Sequence, residues 1–380
     1  MKSEKAMTLE DLASTLGMSR SSVSRAFTGN GRIAPQTREK VLKAARELGY
    51  QPNLHAQRLA GGRCQNTIGL FSLGLDYGVT TQKIKLIQQL LSDQGFHVPL
   101  YAYSDYTSVA VVKQAELMSV LRRQQPRAIV CASRGLEPDA LLELKKYHDE
   151  GGIVVCYDYP IELDCDQVIF DREDNNYQAA RHLLELGHRD LGLYIEGEQT
   201  PDPEMPLIGS RVAGFERALG EYGAPVNEAW KFHGAGAEEG RALLARQFLA
   251  LSQRPMGVCI VNDRAATTFV NEVQRAGVKV PTDVSVVCHD DQPVASYGAV
   301  RLSSATHPAQ EIAQSVIELL SSRFDGSYPG EARRKWVRGS FIERDSTSAP
   351  RAVTYPKKTQ FANGKGEFKT SRTTILASNS

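Results

Sequence analysis

The stretch Thr8-Leu9-Glu10-Asp11-Leu12-Ala13-Ser14-Thr15-Leu16-Gly17-Met18-Ser19-Arg20-Ser21-Ser22-Val23-Ser24-Arg25-Ala26-Phe27 decides the architecture of the amino-terminal region. Thr8 and Asp11 have the spacing of a capping box, with the hydroxyl accepting from first-turn amides and the carboxylate at the positive helix end. Leu9, Leu12, Ala13 and Leu16 follow at helical spacing and form one apolar face. Gly17, suited to the left-handed conformation, ends it, so a short helix is predicted over residues 9 to 16. Met18 leads into Ser19, a good N-cap, and a second helix is predicted over Ser19 to Phe27. Val23, Ala26 and Phe27 face inward there, while Ser21, Ser22, Ser24 and Arg25 cover the rest of the surface. Two short helices joined by a glycine turn make a helix-turn-helix, whose second helix lies in the major groove with its first residues at base edges. Arg20, Ser21 and Arg25 are placed for that contact, since an arginine can make two hydrogen bonds to guanine and serine is permissive. On these residues alone, a helical hairpin with a solvated polar face remains the alternative.

Outward from this stretch, a third helix is predicted over Pro35 to Leu48: proline suits the first helical position, Val41, Leu42, Ala45 and Leu48 form an apolar stripe, and Gly49 stops it. Three helices can enclose a small core. Gln51 to Gly62 then holds Asn53, able to cap a helix of two turns before the glycine pair, a length that forms only against a partner. Charge separates along the same lines: residues 1 to 63 carry a net +6, residues 64 to 346 a net −10 and residues 347 to 380 a net +5, within an overall +1. A basic head on an acidic body confines polyanion contact to one end, because neutralising phosphates supplies much of the binding energy to DNA.

The stretch from Thr8 to Leu70 closely resembles the amino terminus of the lactose and galactose repressor (LacI/GalR) family. The residues that carry this are T-L-E-D-L-A-S-T-L-G-M-S-R-S-S-V-S-R-A-F, then T-R-E-K-V-L-K-A-A-R-E-L-G-Y-Q-P-N, then A-Q-R-L-A-G-G and N-T-I-G-L. The resemblance implies that Arg20, Ser21 and Arg25 read bases, while Thr8, Ser19, Ser22, Thr28, Arg32 and Asn53 hold the DNA backbone. It also implies a hinge, around Asn53, Ala56 and Leu59, that folds on operator DNA in the dimer, with Leu59 wedged into the minor groove. Such a wedge costs unstacking and is offset by the contacts a kinked duplex allows. Ala34 is a departure, standing where many members cap the third helix with Ser or Thr, a loss of about 1 kcal/mol.

From Ile68 the pattern changes to short apolar runs, IGLFSL, HVPLYAY, AIVCA, IVVCY, QVIF, LGLYI, MGVCIV and VSVVCHD. Helical stretches lie between them, at 82 to 94, 110 to 124, 174 to 186, 210 to 222, 238 to 251 and 265 to 276. The alternation predicts an α/β body of parallel sheets flanked by helices. The resemblance, weaker here, implies two lobes of the type I periplasmic-binding-protein kind joined by three crossings, placed near 160, 292 and 327. The expected layout is a helix-turn-helix head over 1–50 and a hinge and linker over 51–65. A body for effector binding and dimerisation follows over 66–346: an N-lobe of about 66–160 and 293–326, and a C-lobe of about 161–291 and 328–346. Residues 347–380, rich in Ser, Thr and Lys without an apolar period, read as a disordered tail.

Parallel sheets bind ligands beyond the carboxyl ends of their strands. That makes Asp158 after IVVCY, Asn262 with Asp263 after GVCIV, and Asp290 after VSVVCH candidates for effector contact, and Arg211 in S-R-V-A-G-F matches the family's R-x-x-G-F segment. In sugar-sensing relatives such positions bind hydroxyls through charge-assisted or paired hydrogen bonds. The same residues could instead cap helices or pair lobes. Leu73-Gly74-Leu75-Asp76-Tyr77-Gly78 departs from the usual Asn-Pro-aromatic run and leaves Tyr77 as the aromatic candidate. Cys288-His289 stand where Gly and an aromatic are common; His289 is either a ligand contact or a satisfied strand-end histidine, with the latter preferred. The acidic, proline-rich segment 196 to 206 reads as a solvated loop.

Composition excludes other classes. At 41% apolar and 23% charged residues, with no apolar run of membrane-spanning length, the chain reads as an ordinary soluble protein, and its first residues lack a secretory pattern. The expected location is the cytoplasm, on the nucleoid when DNA is bound. Cys64, Cys131, Cys156, Cys165, Cys259 and Cys288 form no C-x-x-C pair and read as buried thiols. No phosphate loop, nucleophile elbow or metal-spaced histidine cluster points to an enzyme, so no catalytic residue, metal or cofactor is expected. A solute-binding protein is opposed by the head and the missing signal peptide. The expectation is a sequence-specific DNA-binding regulator, a repressor acting as a homodimer or higher oligomer on palindromic double-stranded operator DNA. A small molecule bound between the lobes, a sugar or related metabolite, would control it. A regulator with a degenerate pocket, answering to a protein or to no ligand, is the alternative.

Overall fold

The computed structural model describes residues 7–28, 33–48, 50, 64–74, 78–103, 113–196, 206–234 and 238–351. Along the chain lie α1 (Leu9–Leu16), α2 (Arg20–Thr28), α3 (Pro35–Glu47), β1 (Cys64–Leu73), α4 (Gly78–Asp93), β2 (Leu100–Tyr103), α5 (Gln114–Arg123), β3 (Pro126–Ala132), α6 (Pro138–Asp149), β4 (Ile153–Asp158) and β5 (Asp166–Phe170). Next come α7 (Arg172–Glu185), β6 (Leu191–Glu196), α8 (Pro206–Glu221), β7 (Lys231–Gly234), α9 (Glu238–Ala250), β8 (Gly257–Ile260), α10 (Asp263–Arg275) and β9 (Ser285–Asp290). The last are α11 (Val294–Tyr297), β10 (Ser303–Thr306), α12 (Ala309–Phe324), β11 (Arg334–Val337) and β12 (Phe341–Ile342). The fold is α/β, with an all-helical amino-terminal region ahead of two sheets.

The head's three helices close on Leu12, Ala13, Val23, Ala26, Val41 and Ala45, with Leu9, Leu16, Met18, Phe27, Ile33 and Tyr50 packed against them. Gly17 takes φ 63° and ends α1, which the turn into α2 requires. No side chain caps α3 at Ala34, as the sequence implied. The Arg38 guanidinium donates to the Ala26 carbonyl in the last turn of α2, a link between α3 and α2 that the apolar pattern could not show.

The chain divides into two compact units, Met1–Phe170 with Ala309–Val337 and Asp171–Pro308 with Arg338–Ser380. The sheet of the first is ordered β11-β5-β4-β3-β1-β2 and that of the second β12-β10-β9-β8-β6-β7. Numbered within its own unit, each sheet runs 2-1-3-4-5-6, with the order reversing between the first and third strands. All pairs are parallel except β10 with β12. Strands such as β3 and β5 are nearly continuous in buried residues because helices cover both faces. In the first unit Ile84, Ile87 and Leu91 of α4 and Ile312, Val316 and Leu320 of α12 fill one face. Met118 and Leu121 of α5 with Leu144 and Tyr147 of α6 fill the other.

Two expectations are corrected, the places of the crossings and the start of the tail. The crossings fall at Phe170/Asp171, Pro308/Ala309 and Val337/Arg338, each ten or more residues beyond its expected place. The reason is strand membership: β5 pairs with β4 and stays in the first sheet, β10 pairs with β9 and stays in the second, and β11 returns to the first. The tail does not begin at 347 either. Ser346 is fully buried, the His182 ring meets the Thr347 hydroxyl at 3.0 Å, and the Ser348 backbone N–H donates to the Ser285 hydroxyl at 3.1 Å. Hydroxyls, not an apolar period, hold this segment down. The remainder of the tail, the hinge over 51–63 and the acidic loop over 197–205 lie outside the described residues.

Candidate functional site

In the head, the Thr8 hydroxyl accepts from the Asp11 N–H at 3.2 Å, and the Thr8 N–H donates to the Asp11 carboxylate at 2.9 Å, so the capping box is complete. Ser19 caps α2, its Oγ accepting from the Ser22 N–H at 3.2 Å and lying 3.0 Å from Ser21 Oγ and 2.8 Å from Ser22 Oγ. Arg20, Ser21 and Arg25 are exposed on the side of α2 away from buried Val23 and Ala26. Glu10 lies 3.8 Å from the Arg20 guanidinium, an exposed pair of little energetic weight that leaves this arginine available to a phosphate or base. The side chain of Thr28, and Arg32, Asn53, Ala56 and Leu59 altogether, lie outside the described residues.

The carboxyl ends of the strands carry the second set. In the first unit, Asp158 ends β4 with φ 95°, a conformation that non-glycine residues rarely adopt. Its carboxylate is buried and ion-paired with the ammonium of Lys83 on α4, itself 2% exposed, and that ammonium stands 5.4 Å from the centre of the Tyr157 ring. The Tyr157 hydroxyl lies 3.3 Å from Ser72 Oγ of β1, and burial followed by the Asp158 charge raises its pKa. Lys83 escaped the sequence reading, although the signal was present: it sits on the helical stripe Val79, Thr80, Lys83, Ile84, Ile87 and Leu91, where a lysine is out of place unless paired. Tyr77 lies outside the described residues.

In the second unit, Asn262 caps α10, its Oδ1 accepting from the Ala265 N–H at 2.9 Å. Asp263 beside it is 1% exposed; its carboxylate accepts from the Gln292 N–H at 2.5 Å and the Cys288 thiol at 2.8 Å. Burial, and then the charge of Asp290, push its pKa up to about 8 against the pull of those two donors. Asp290 ends β9 with φ 92°, and Asp291 follows at φ 53° with its carboxylate 2.7 Å from the Arg344 guanidinium. His289 is 3% exposed, with Nδ1 2.7 Å from Asn175 Oδ1 of α7. Burial, with the Arg211 charge second, lowers its pKa to about 3, so the ring is neutral.

Arg211 lies on α8, where the order Arg211-x-x-Gly214-Phe215 has a packing cause. A Cβ on Gly214 would stand 2.0 Å from the Glu173 carbonyl oxygen, so only glycine lets α8 lie this close to α7. Phe215 is buried one residue on, which fixes the rotation of α8 and carries Arg211 into the electrostatic range of His289. Thus Arg211 lies within electrostatic range of His289, with Asp290 next to the latter and Asn262 engaged in a cap. Asn175 is the polar group of this set that the sequence reading did not name. All six cysteines are free and buried, and among the described residues no group of three His, Cys, Asp or Glu is arranged to hold a metal ion. Among those residues no helix is long and apolar enough to cross a membrane.

Comparison with known proteins places these features together. Residues 8–53 match the bacterial regulatory proteins of the lacI family, and residues 180–347 match a periplasmic binding protein-like domain. Over 312 residues the chain is 29% identical to the HTH-type transcriptional regulator DegA of Bacillus subtilis, spanning 80% of this chain and 88% of DegA. Over 318 residues it is 27% identical to the HTH-type transcriptional repressor PurR of Vibrio parahaemolyticus, spanning 83% and 91% respectively. Its fold is that of a solved lac repressor dimer bound to operator and the anti-inducer ONPF, at a TM-score of 0.71 and 22% identity over 91% of this chain and 100% of that one. Helix-turn-helix head, duplicated parallel sheets and these relatives agree: the chain belongs to the LacI family of DNA-binding transcriptional regulators.

Proposed function

We propose that this regulator is a homodimeric repressor whose affinity for a palindromic operator is set by a small-molecule effector, a sugar or related metabolite. Arg20, Ser21 and Arg25 read bases. Thr8, Ser19, Ser22, Thr28, Arg32 and Asn53 hold the DNA backbone. Ala56 and Leu59 belong to a hinge that folds on DNA, with Leu59 as the wedge. The effector is held by Arg211, His289 and Asp290, with Asp158, Asn262 and Tyr77 as further contacts. The protein works in the cytoplasm. A ligand controls operator affinity only through different affinities for the DNA-competent and incompetent states.

The observation that carries the DNA reading is the exposed face of α2, where two arginines and a serine stand opposite the residues that anchor the helix. It is tested by selecting bound fragments from genomic DNA with the purified chain, then repeating with Arg20→Ala/Arg25→Ala. Each bidentate arginine–guanine contact is worth about 1 to 3 kcal/mol of discrimination. The double variant is therefore expected to lose operator preference while keeping salt-sensitive nonspecific binding. Unchanged preference refutes the base-reading role.

One observation favours a second reading. Asp158, an effector candidate, already has Lys83 as a buried partner, which fits a body answering to another protein or to no ligand. Thermal shift against a metabolite panel separates the two, because saturating a true effector stabilises the folded chain.

A further inference from the structure

A chain of hydrogen bonds in the second unit ends on a polar atom that has no partner among the described residues. Asn175 Nδ2 donates to the Thr306 carbonyl at 3.0 Å, which fixes the amide so that Oδ1 faces His289. An amide oxygen only accepts, so the His289 Nδ1 at 2.7 Å carries the ring proton and donates it. The neutral ring then has a bare lone pair on Nε2, and that atom is buried without a hydrogen-bond partner among the described residues. A buried acceptor left unmade is unfavourable, so a group that supplies the missing donor recovers that free energy.

The position of this atom is that of a ligand contact. Side chains alternate along β9: Cys288 reaches Asp263 of α10 on one face, so His289 projects to the other, where Asn175 of α7 meets it and Arg211 of α8 acts on it electrostatically. It stands one residue before Asp290, at the carboxyl end of a parallel strand, where ligands of doubly wound sheets bind.

We infer that His289 Nε2 accepts a hydrogen bond from an uncharged donor on the effector, a hydroxyl or a ring N–H, and that an effector carrying only carboxylate or other acceptor groups at this point is rejected. This rests on reading the second unit as the effector site. Rejection follows because an acceptor facing a bare lone pair leaves two buried acceptors unmatched. Hydroxyls come from sugars and polyols and ring N–H groups from nucleobases; the two sources share the chemistry.

The test uses the full chain with nitrogen-15 histidine, the His289 signals being assigned by their loss in His289→Phe. In the ligand-free protein the spectrum should show Nδ1 protonated and Nε2 bare from pH 8 down to pH 5. Three arms are then titrated: glucose, ribose and inositol; adenine and uracil; and succinate and citrate at pH 8, which offer no donor. A binding sugar or base should move the Nε2 signal toward the protonated side. Its O-methylated or N-methylated analogue should bind about tenfold more weakly to the wild type, and His289→Phe should erase that difference. A proton on Nε2 in the free protein overturns the inference, as does a compound from any arm that binds tightly with the Nε2 signal unmoved. Either leaves the effector reading standing. No binding from any arm overturns both together.

Discussion

The fourth strand of each sheet ends on an aspartate in the left-handed backbone region, Asp158 at φ 95° in the first unit and Asp290 at φ 92° in the second. One topology delivers one position twice, but the surroundings differ. In the first unit the carboxylate is answered from within the chain by Lys83, a buried charge matched by a buried charge. In the second, the residue before the aspartate is a neutral imidazole with its proton committed to Asn175 and its other nitrogen unpartnered. Strand order fixes where a site stands, while one residue on a neighbouring helix decides whether that site is closed on itself or offered outward. Backbone strain alone does not separate the two cases, since both aspartates share it.

The comparison is broken most severely at Lys83. Lys83→Met removes the ammonium that answers the buried Asp158 carboxylate and is expected to lower unfolding free energy in urea by about 3 to 5 kcal/mol. Adding Asp158→Asn, an amide that tolerates the left-handed region, should recover most of the loss. A double variant as weak as the single one would show that the pair is not what holds this strand end.

Acid should distinguish the units next. His289 is held neutral with a pKa near 3 against an ordinary 6.5; the unfolded chain binds the proton more readily, so its stabilisation is complete above 6.5 and is lost as pH falls toward 3. His182 and His188, also lowered mainly by burial, act in the same direction in the same unit. The corresponding keystone of the first unit, Asp166, is clamped by Arg323 and Arg333 and, against its burial, lowered from 3.8 to about 2. Its stabilisation is present above 3.8 and lost only as pH falls toward 2. Asp263 opposes this: raised to about 8, it holds a proton in the folded unit that the unfolded chain releases above 3.8, so between pH 6.5 and 5 it adds up to about 1.4 kcal/mol per pH unit as acid rises and offsets His289. In Asp263→Asn, which removes that carboxyl, hydrogen exchange should loosen the second unit before the first over this window, and adding His289→Phe should flatten the slope; equal loosening of both units in Asp263→Asn would contradict the contrast.

Smaller effects sharpen it. Gly214→Ala forces α8 away from the Glu173 carbonyl and is expected to cost about 1 to 3 kcal/mol, with compound affinity falling as Arg211 is displaced. Destabilisation without loss of affinity would remove Arg211 from the site. Asn262→Ala removes the α10 cap and should cost about 1 kcal/mol. If capping is its whole role, compound affinity stays unchanged; a tenfold fall would give Asn262 a ligand contact.

The head was legible in the sequence because its determinants are local. Cap, glycine stop and apolar face all lie within one or two turns, and α1 runs over Leu9–Leu16 as the spacing predicts. The alternation of the body was legible for the same reason. The crossings were not, because an apolar run such as that of β5 does not say which sheet it joins, and the later strands beside a crossing are short and polar. Ser303-Ser304-Ala305-Thr306 has no apolar run, yet three of its four residues are buried, and Ser346 supplies a hydroxyl to the Ser303 N–H across 43 positions of sequence. Hydrogen bonds between distant serines leave no periodic trace. Site residues followed the same divide: strand-end aspartates could be read from the runs they end, and Lys83 from its place on an apolar stripe, whereas its partner, and any role for Asn175, emerge only when the helices pack on the sheets.

The regulation proposed for this chain is that a small molecule bound to the body changes how tightly the head holds DNA. It is tested most directly by measuring the affinity of a selected operator fragment across a titration of a compound that stabilises the chain, and the affinity of that compound with and without the fragment. Linkage requires the two factors to be equal, and a value between about 5-fold and 150-fold is expected, corresponding to about 1 to 3 kcal/mol of coupling. A factor of one in both directions, for every stabilising compound, would contradict the account.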